Sequence, residues 1–385
     1  PFAISIVLDT YQHGAISVAY LIHSCCDAFV KKFYCFSVGS PTTTLTKLLY
    51  SVGVGLSVSV ISGISYWLYR VWKQDVMPQK WRRVGTLAQI NIFPIKSGAR
   101  LELDPEAEVA CEVLGLRTMS FRDRCLMVID ANNKMLTARV HPKMLLIESK
   151  IESPTELVIT APGMSSALEL DFEALLEQPP DKNVLTSVWG SKLDALLCGE
   201  KYDTWFSTYI LEKPNGLRLV FYHHEKPVRS IISSMVKEPF IKREDTGTFG
   251  DATSYMLMNL ASIADLNTRL SEPVHPLQFR GNFHLKMDVD APYAEDNWQW
   301  IKIGEEAVFR NVSNCTRCIL PNINPFNGIR NPDCQPLKTL KKYRKWEKYG
   351  SSPVLGIHLG LRQHGSIKPD DIIYLIINGC AHIVA

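Results

Sequence analysis

The sequence lacks a marked excess of charge of either sign, and it lacks a long basic tract interleaved with aromatic residues. Its 385 residues include 42 Lys and Arg against 39 Asp and Glu, which gives a formal net charge of +3 at pH 7. Binding to nucleic acid requires cations clustered over one surface, and only a short basic patch near residue 340 approaches that pattern. We therefore expect no nucleic-acid partner.

Cysteine is too sparse for a scaffold that disulfides hold together. The chain has ten cysteines, far below the density of small secreted domains that depend on disulfides, so a reducing compartment is expected. The part of the chain that is predicted to be soluble also lacks a G-x-G-x-x-G motif after a strand. This lack argues against an internal nicotinamide dinucleotide site.

Charge is absent from a run of 22 residues, Leu48 to Tyr69, and about 20 apolar residues span the ~30 Å hydrocarbon core of a bilayer. Aromatic residues gather at the C-terminal end of this run, and basic residues follow from Arg70. By the positive-inside rule, we predict a transmembrane signal anchor over 47–70, with a buried core helix as the alternative. Residues 1–46 and 378–385 are regarded as an extension and a tail of uncertain origin.

From Trp81 onward, short apolar runs alternate with turn residues. The runs typical of strands are 84–95, 125–130, 143–151, 156–162, 217–224, 307–312 and 371–377,. Helical spacing covers 203–213, 252–270 and 336–350,. Because most strands lack a helical crossover between them, an antiparallel sheet or barrel with helices to one side is favoured over a doubly wound sheet.

The stretch "SNCTRCILPNINP", residues 313–325, contains a Cys-x-x-Cys pair formed by Cys315 and Cys318. A structural zinc site would need about four ligands, and the other Cys and His residues have irregular spacing. A redox dithiol would favour a helix N-terminus, which Pro321 makes unfavourable. Two buried reduced thiols, or one thiolate bound to a soft metal, are the remaining interpretations.

Cations stand at strand ends in the region 91–130. Lys96 and Ser97 lie on a turn closed by Gly98, and Arg124 enters a later strand. A planar guanidinium, an ammonium and a hydroxyl suit an anionic phosphate ligand. The alternative is a solvated turn together with an ordinary Arg–Asp pair.

A family resemblance connects these features. The stretches "FPIKS", "FRDRCLMVID", "LTARVHPKMLLI", "FGDATSYMLMNLASIADLNTRL", "FRGNF", "YAEDNW", "CTRCILPNINPFNG" and "GSIKPDDIIYL" resemble the mitochondrial amidoxime reducing component family, within the molybdenum cofactor sulfurase C-terminal (MOSC) domain superfamily. The resemblance covers roughly residues 81–377. It implies an α+β fold: a MOSC-type antiparallel β-barrel with flanking helices (216–377), an accessory N-terminal MOSC β-rich region (81–215), and a transmembrane helix before them.

The resemblance also implies a site for molybdenum bound by molybdopterin. Cys318 matches the family's metal ligand, which leaves Cys315 as a neighbour, and Asp251 matches a catalytic position facing the metal. Residues matching cofactor-binding positions are Lys96, Ser97, Arg124, Thr253, Arg280, Asn282, Thr316, Arg317 and His358. The sequence departs from the family at three places: Ala252 replaces a hydroxyl residue, His358 replaces an aromatic hydroxyl, and Gly98-Ala99-Arg100 replaces a more usual small, polar or basic stretch.

The implied function is reduction of N-hydroxylated compounds, amidoximes and hydroxylamines, to amidines or amines. Electrons would come from NADH through NADH-cytochrome b5 reductase and cytochrome b5, with membrane attachment through 48–69. The implied location is the mitochondrial outer membrane, with the catalytic part facing the cytosol. Two alternatives remain: a MOSC protein of molybdenum cofactor sulfuration or transfer, and a non-catalytic membrane-tethered scaffold that binds the cofactor.

Overall fold

The computed structural model describes residues 76–177 and 182–376. The predicted anchor at 47–70, the extension at 1–46 and the tail at 378–385 lie outside the described residues. Within those two ranges, no helix is both long enough and apolar enough to cross a bilayer. The described residues from Met77 onward form one compact unit.

The described chain is rich in short strands. They are β1 Trp81–Ile90, β2 Val109–Glu112, β3 Gly115–Thr118, β4 Phe121–Arg122, β5 Leu126–Asp130, β6 Glu148–Ile151, β7 Glu156–Thr160, β8 Leu168–Asp171, β9 Asn183–Val188, β10 Ser191–Leu197, β11 Leu217–Phe221, β12 Tyr255–Asn259, β13 Phe283–Met287, β14 Trp300–Ile303, β15 Ala307–Thr316, β16 Val354–Gln363, β17 Gly365–Ile367 and β18 Ile372–Ile376. The α-helices are α1 Phe172–Leu176, α2 Glu200–Leu211, α3 Leu260–Asn267 and α4 Leu337–Tyr343. This mixture confirms the predicted α+β class.

A closed barrel organises the fold, with the strand order β1-β13-β12-β16-β15-β14-β18. Its neighbours pair antiparallel, as predicted, except for β12 and β13, which pair in parallel. A parallel pair needs a crossover connection, and α3 lies in the segment that joins these two strands. The barrel therefore combines a mainly antiparallel ladder with one helical crossover.

Aromatic side chains fill the barrel interior. Tyr255, Phe283 and Phe309 are fully buried, and their ring centroids lie 5.0 to 5.7 Å apart. Edge-to-face and offset contacts at such distances are favourable beyond the area that they bury. These rings come from three separate strands, so their contacts fix β12, β13 and β15 relative to one another.

Three smaller sheets accompany the barrel, with the strand orders β5-β11-β10-β9, β17-β2-β3-β4 and β6-β7-β8. Strand pairing connects the two parts of the chain that we divided between residues 215 and 216. β1 belongs to the barrel, and β17 pairs with β2 through partners such as Ser366 and Ala110. The N-terminal and C-terminal parts of the described chain thus share sheets.

The helix predicted over 252–270 is wrong in its first half. Tyr255–Asn259 is a strand, and α3 begins only at Leu260. All five residues of that strand are buried, so burial within the barrel outweighs the helical spacing of the apolar residues. Asn259 ends the strand and caps the helix, since its side chain accepts a hydrogen bond from the amide of Ala261,.

The other helix predictions are closer. The helix predicted over 203–213 is α2, Glu200–Leu211, whereas the one predicted over 336–350 ends at Tyr343. There the Arg344 guanidinium donates to the carbonyl of Val354 at 3.0 Å, and a 3₁₀ turn, Glu347–Tyr349, follows. The helix thus ends where Arg344 makes this tertiary hydrogen bond, although the sequence pattern predicts that it continues to residue 350.

Candidate active site

A cavity of about 440 Å³ opens among the barrel strands and the loops that follow them. Every predicted site residue lines it. They are Lys96, Ser97, Arg124, Asp251, Thr253, Arg280, Asn282, Thr316, Arg317, Cys318 and His358. A second cavity, of about 640 Å³, is lined by other residues, among them Glu112, Arg122 and Glu244. The structure therefore brings the whole predicted set to one place.

One side of the cavity, which we call the basic wall, consists of Lys96, Ser97, Arg124, Arg280 and Asn282. Three of these residues have left-handed backbone conformations: Ser97 with φ 69°, Arg124 with φ 51° and Arg280 with φ 55°. Side-chain-bearing residues avoid this region at a cost of roughly 1–2 kcal/mol each. Such strain concentrates where a binding geometry requires it.

The two arginines of the basic wall lie close together. Arg124 Nη2 donates a hydrogen bond to the carbonyl of Arg280 at 3.1 Å. Both guanidinium groups lie over the ring of Phe93, that of Arg124 at 4.8 Å and that of Arg280 at 4.1 Å from its centroid. Arg280 Nη1 donates to the carbonyl of Gly98 at 2.7 Å, whereas its buried Nη2 has no hydrogen-bond partner among the described residues. Burial and the nearby charge of Arg124 lower the pKa of Arg280 to about 9.

An anion bound here would satisfy the Arg280 Nη2 donor and offset the repulsion between the two guanidinium groups. The donors of this wall therefore fit a phosphate. The Asn282 side chain is held by three hydrogen bonds. Its Nδ2 donates to the carbonyl of Asn91 at 3.2 Å and to Asp123 Oδ2 at 3.0 Å. Its Oδ1 accepts a hydrogen bond from the amide of Met256 at 3.2 Å. Its polar atoms are thus engaged by the protein.

Lys96 connects the basic wall with the other side of the cavity. Only 4% of its surface is exposed, and Nζ donates to the carbonyl of Phe249 at 2.8 Å and to the carboxylate of Asp251. Burial lowers the pKa of Lys96 to about 8, against the raising effect of the Asp251 charge. The ammonium group is therefore oriented toward the cavity by one carbonyl and one carboxylate.

A second group of lining residues, which we call the thiol wall, consists of Arg139, Trp189, Asp251 and Cys318. Arg139 Nε donates to Cys318 Sγ at 3.2 Å, and its Nη2 donates to Asp251 Oδ2 at 2.6 Å. The Arg139 guanidinium also lies over the Trp189 ring, 4.7 Å from the centroid. One arginine therefore joins the thiol, the carboxylate and the indole.

The carboxylate of Asp251 is ionised in this arrangement. Enclosure by the protein alone would raise its pKa, but the charges and hydrogen bonds of Lys96 and Arg139 hold that pKa well below its ordinary value,. Its side chain keeps 43% of its surface exposed to the cavity. Asp251 consequently acts as an acceptor that orients two cations, and it carries no proton to donate near neutral pH.

The two cysteines of the Cys-x-x-Cys pair lie in different surroundings. Cys318 is exposed, whereas Cys315 is 6% exposed and packs in a core cluster with Met256 and Leu355. Burial raises the pKa of the Cys315 thiol. In the described ranges, no three His, Cys, Asp or Glu side chains converge on a possible metal position.

Thr316 and Arg317, which precede Cys318 in the chain, also differ in their exposure. Thr316 is exposed at the end of β15. Arg317 is buried, and its guanidinium donates to the carbonyls of Leu355 at 2.8 Å and Phe279 at 3.0 Å, with a further contact to Met258 Sδ at 3.0 Å. Arg317 therefore braces the loop that carries Cys318, while its donors face the protein.

Thr253 and His358 form a pair on the cavity floor. Thr253 Oγ1 donates to the carbonyl of Tyr255 at 2.9 Å and lies 3.0 Å from His358 Nδ1. Because the hydroxyl has a single hydrogen, His358 Nδ1–H is the donor in that contact, which leaves Nε2 as an acceptor. Burial lowers the pKa of His358 to about 4, so the imidazole is neutral at pH 7.

Sequence reasoning missed Arg139 and Trp189. Arg139 lies within the stretch "LTARVHPKMLLI", but nothing in its immediate surroundings indicates a contact with a thiol. Trp189 stands before Gly190 in a pair that is not one of the usual hairpin dipeptides, so the sequence gives little sign of a hairpin tip there. Both residues reach the cavity through tertiary structure alone.

Comparison with known proteins agrees with these observations. The MOSC N-terminal beta barrel domain matches residues 84–213, and the MOSC domain matches residues 244–374. Mitochondrial amidoxime-reducing component 1 of Mus musculus is 34% identical over 315 residues, covering 79% of this chain and 87% of the relative. The Homo sapiens protein of that name is 32% identical and covers 84% and 91% of the two chains.

Mitochondrial amidoxime reducing component 2 of Homo sapiens is 30% identical over 350 residues, with 88% of this chain and 97% of the relative covered. The similarity therefore includes both matched domains and the loops that form the two walls of the cavity. With this extent of similarity, and with Cys318 in a cavity that fits a phosphate-bearing ligand, the chain belongs to the mitochondrial amidoxime-reducing component family of MOSC proteins.

Proposed function

We propose that the protein is a molybdenum cofactor-dependent reductase that converts amidoximes and hydroxylamines to amidines or amines. The observation that carries this proposal is that one cavity of a chain from this family is lined both by the exposed thiol of Cys318 and by Arg280, whose Nη2 has no partner among the described residues. A soft sulfur ligand and a phosphate-binding wall match the metal and the phosphate of a molybdopterin cofactor.

The residues present fit such a cofactor. Lys96, Arg124 and Arg280 would hold its phosphate, and Cys318 would ligate the molybdenum. Ser97, Thr316 and His358 add hydroxyl and imidazole groups for the polar pterin. When bound, the metal supplies the two-electron chemistry that removes oxygen from nitrogen, which is hard for amino-acid side chains alone.

The overall reaction consumes two electrons and two protons for each N–O bond that breaks. An amidoxime, RC(NH₂)=NOH, yields the amidine RC(NH₂)=NH and one water molecule. NADH is the proposed source of the electrons, through NADH-cytochrome b5 reductase and cytochrome b5. The lack of a G-x-G-x-x-G motif after a strand in the sequence supports an external source,.

The thiol wall supplies orientation around the reacting group. Arg139 fixes the Cys318 sulfur by its Nε hydrogen bond, and Asp251 fixes Arg139 and Lys96 in turn. Groups around a metal ligand commonly orient it and adjust its chemistry in this manner. The catalytic role that the resemblance implies for Asp251 therefore becomes a narrower one, in which its carboxylate positions cationic donors.

We further infer that the protein is mitochondrial, as the names of its relatives state for them. Attachment to the outer membrane through residues 48–69, with the catalytic part in the cytosol, is the arrangement that the charge pattern after this segment supports,. Cytosolic exposure would place the cavity within reach of a membrane-bound cytochrome b5.

The test is NADH oxidation by the purified full-length protein with cytochrome b5, its reductase and benzamidoxime. We expect benzamidine and oxidised NADH in equal amounts from wild type, loss of at least about 100-fold with Cys318→Ser, and less than about a twofold change with the matched Cys315→Ser variant. Bound molybdenum without turnover would instead favour the scaffold, and delivery of cofactor or sulfur to an acceptor apoenzyme would favour the transfer protein.

A further inference from the structure

Trp189 occupies a backbone position that its side chain does not favour. Val188 and Ser191 pair across the hairpin between β9 and β10, and the two residues of its turn have φ values of 51° for Trp189 and 86° for Gly190. Turns with positive φ at both central positions favour Asn-Gly or Asp-Gly. The turn therefore gives no reason for a tryptophan here.

The Trp189 ring is only about half buried. It is 46% exposed, and the Arg139 guanidinium lies over it. A large aromatic ring held in a strained position and left half exposed is an outlier that points to function.

Arg139 links this ring to the reactive thiol. The guanidinium beneath the indole donates to Cys318 Sγ at 3.2 Å and to Asp251 Oδ2 at 2.6 Å. Trp189 and these three partners all line the cavity. The exposed part of the ring therefore stands at the thiol wall, one guanidinium away from the sulfur.

We propose that Trp189 is a specificity-determining residue, a stacking platform that selects flat, π-rich N-hydroxylated substrates over small aliphatic ones. The inference rests on the proposed reductase function and extends it by naming a substrate class. An indole offers a broad apolar face for an aryl or heteroaryl group, while the neighbouring Arg139 and Asp251 are polar enough for the N-hydroxylated end. Stacking of this kind corresponds to roughly fivefold in a binding constant.

The decisive variant is Trp189→Asn, because asparagine suits a left-handed turn position before glycine and removes the ring without burdening the hairpin. In the NADH-coupled assay, we expect the ratio of kcat/KM for benzamidoxime to that for acetamidoxime to fall about fivefold, mainly through KM. Trp189→Phe, which keeps an aromatic face, should restore most of the ratio. Leu185→Asn, at an exposed position of the same hairpin, is the matched control and should leave the ratio unchanged.

Equilibrium binding separates this inference from the proposed function. Titration calorimetry with benzamidoxime, on the holoprotein without reductant, should show a dissociation constant about fivefold higher for Trp189→Asn than for wild type. An unchanged ratio and an unchanged dissociation constant would overturn the platform even if wild type is an active reductase. If wild type reduces neither compound, the reductase proposal fails, and the calorimetry still decides whether Trp189 binds flat ligands.

Discussion

The two walls of the cavity are held together in different ways. On the basic wall, Arg124 and Arg280 repel each other, and Arg280 Nη2 lacks a partner among the described residues. On the thiol wall, Arg139 already bonds to Cys318 and Asp251. A wall with an unmet donor is built to receive a ligand, whereas a wall whose members satisfy one another is built to hold a reacting group in place.

This contrast predicts that substitutions on the two walls separate cofactor binding from turnover. The largest effect is expected for the double variant Arg124→Gln, Arg280→Gln. Each charge-assisted hydrogen bond to a phosphate contributes about 1.5–3 kcal/mol, so cofactor affinity should fall by at least about 100-fold. Molybdenum and pterin content of the purified protein measure it.

The control for that variant is Arg117→Gln, which removes an exposed ion pair with Glu112 far from the predicted site residues. Exposed pairs of this kind contribute little, so cofactor content should stay at the wild-type level. Retention of full cofactor by the double variant would show that the basic wall does not bind the phosphate, and the contrast between the walls would be lost.

The next effect concerns the thiol wall and sharpens the contrast. Arg139→Gln removes the cation that joins Cys318 and Asp251, and residues that orient a metal ligand typically account for about 10- to 100-fold in activity. We expect kcat to fall within that range while molybdenum content remains at the wild-type level. A loss of metal in proportion to the loss of kcat would instead place Arg139 with the cofactor-binding residues.

A smaller effect is expected on the cavity floor, where His358 is neutral. Its pKa of about 4 lies below the ordinary 6.5, so between these values the unfolded chain binds a proton that the native protein does not. The stability from this residue is fully present above about pH 6.5 and falls as the pH drops toward 4. Between pH 7 and pH 5, the loss is about 2 kcal/mol.

Urea denaturation at several pH values measures this effect. His358→Gln should lower the pH dependence of the free energy of unfolding by about 2 kcal/mol over that interval. Gln363→Asn, at an exposed position of the same strand that carries no titratable group, should retain the wild-type slope. An unaltered slope in the His358 variant would mean that burial does not hold the imidazole neutral.

The smallest effect is the stability of the hairpin that carries Trp189. Trp189→Asn relieves left-handed strain of roughly 1–2 kcal/mol and loses a cation–π contact of about 0.5–1 kcal/mol, so a net gain of about 0.5 kcal/mol is expected. The midpoint of urea unfolding reports it. A clear loss of stability would assign Trp189 a packing role in place of a substrate-facing one.

The basic wall was predicted partly from residues at strand ends and partly from the family resemblance, which alone assigned Arg280 and Asn282. Lys96 and Ser97 precede a glycine turn, and Arg124 enters a strand. Arg124 and Arg280 have a left-handed backbone conformation that orients their side chains. Nothing in the local sequence indicates this conformation, since arginine has no preference for positive φ. The positions were therefore predictable, and their orientation was not.

The thiol wall was predicted only in part. Cys318 and Asp251 stand in motifs, but Arg139 and Trp189 reach them from distant parts of the chain, and no periodicity marks such a meeting. The segment 255–259 shows the same limit for the fold. Its apolar spacing predicts a helix, and burial on both faces within the barrel makes it a strand,.

The assignment of Cys318 as the metal ligand is the central claim, and X-ray absorption at the molybdenum edge tests it most directly. Wild type and Cys315→Ser should show the same number of sulfur ligands, and Cys318→Ser should show one fewer, because its hydroxyl is a poor replacement for a soft thiolate. An unchanged sulfur count in Cys318→Ser, or a lost sulfur in Cys315→Ser, would contradict the account.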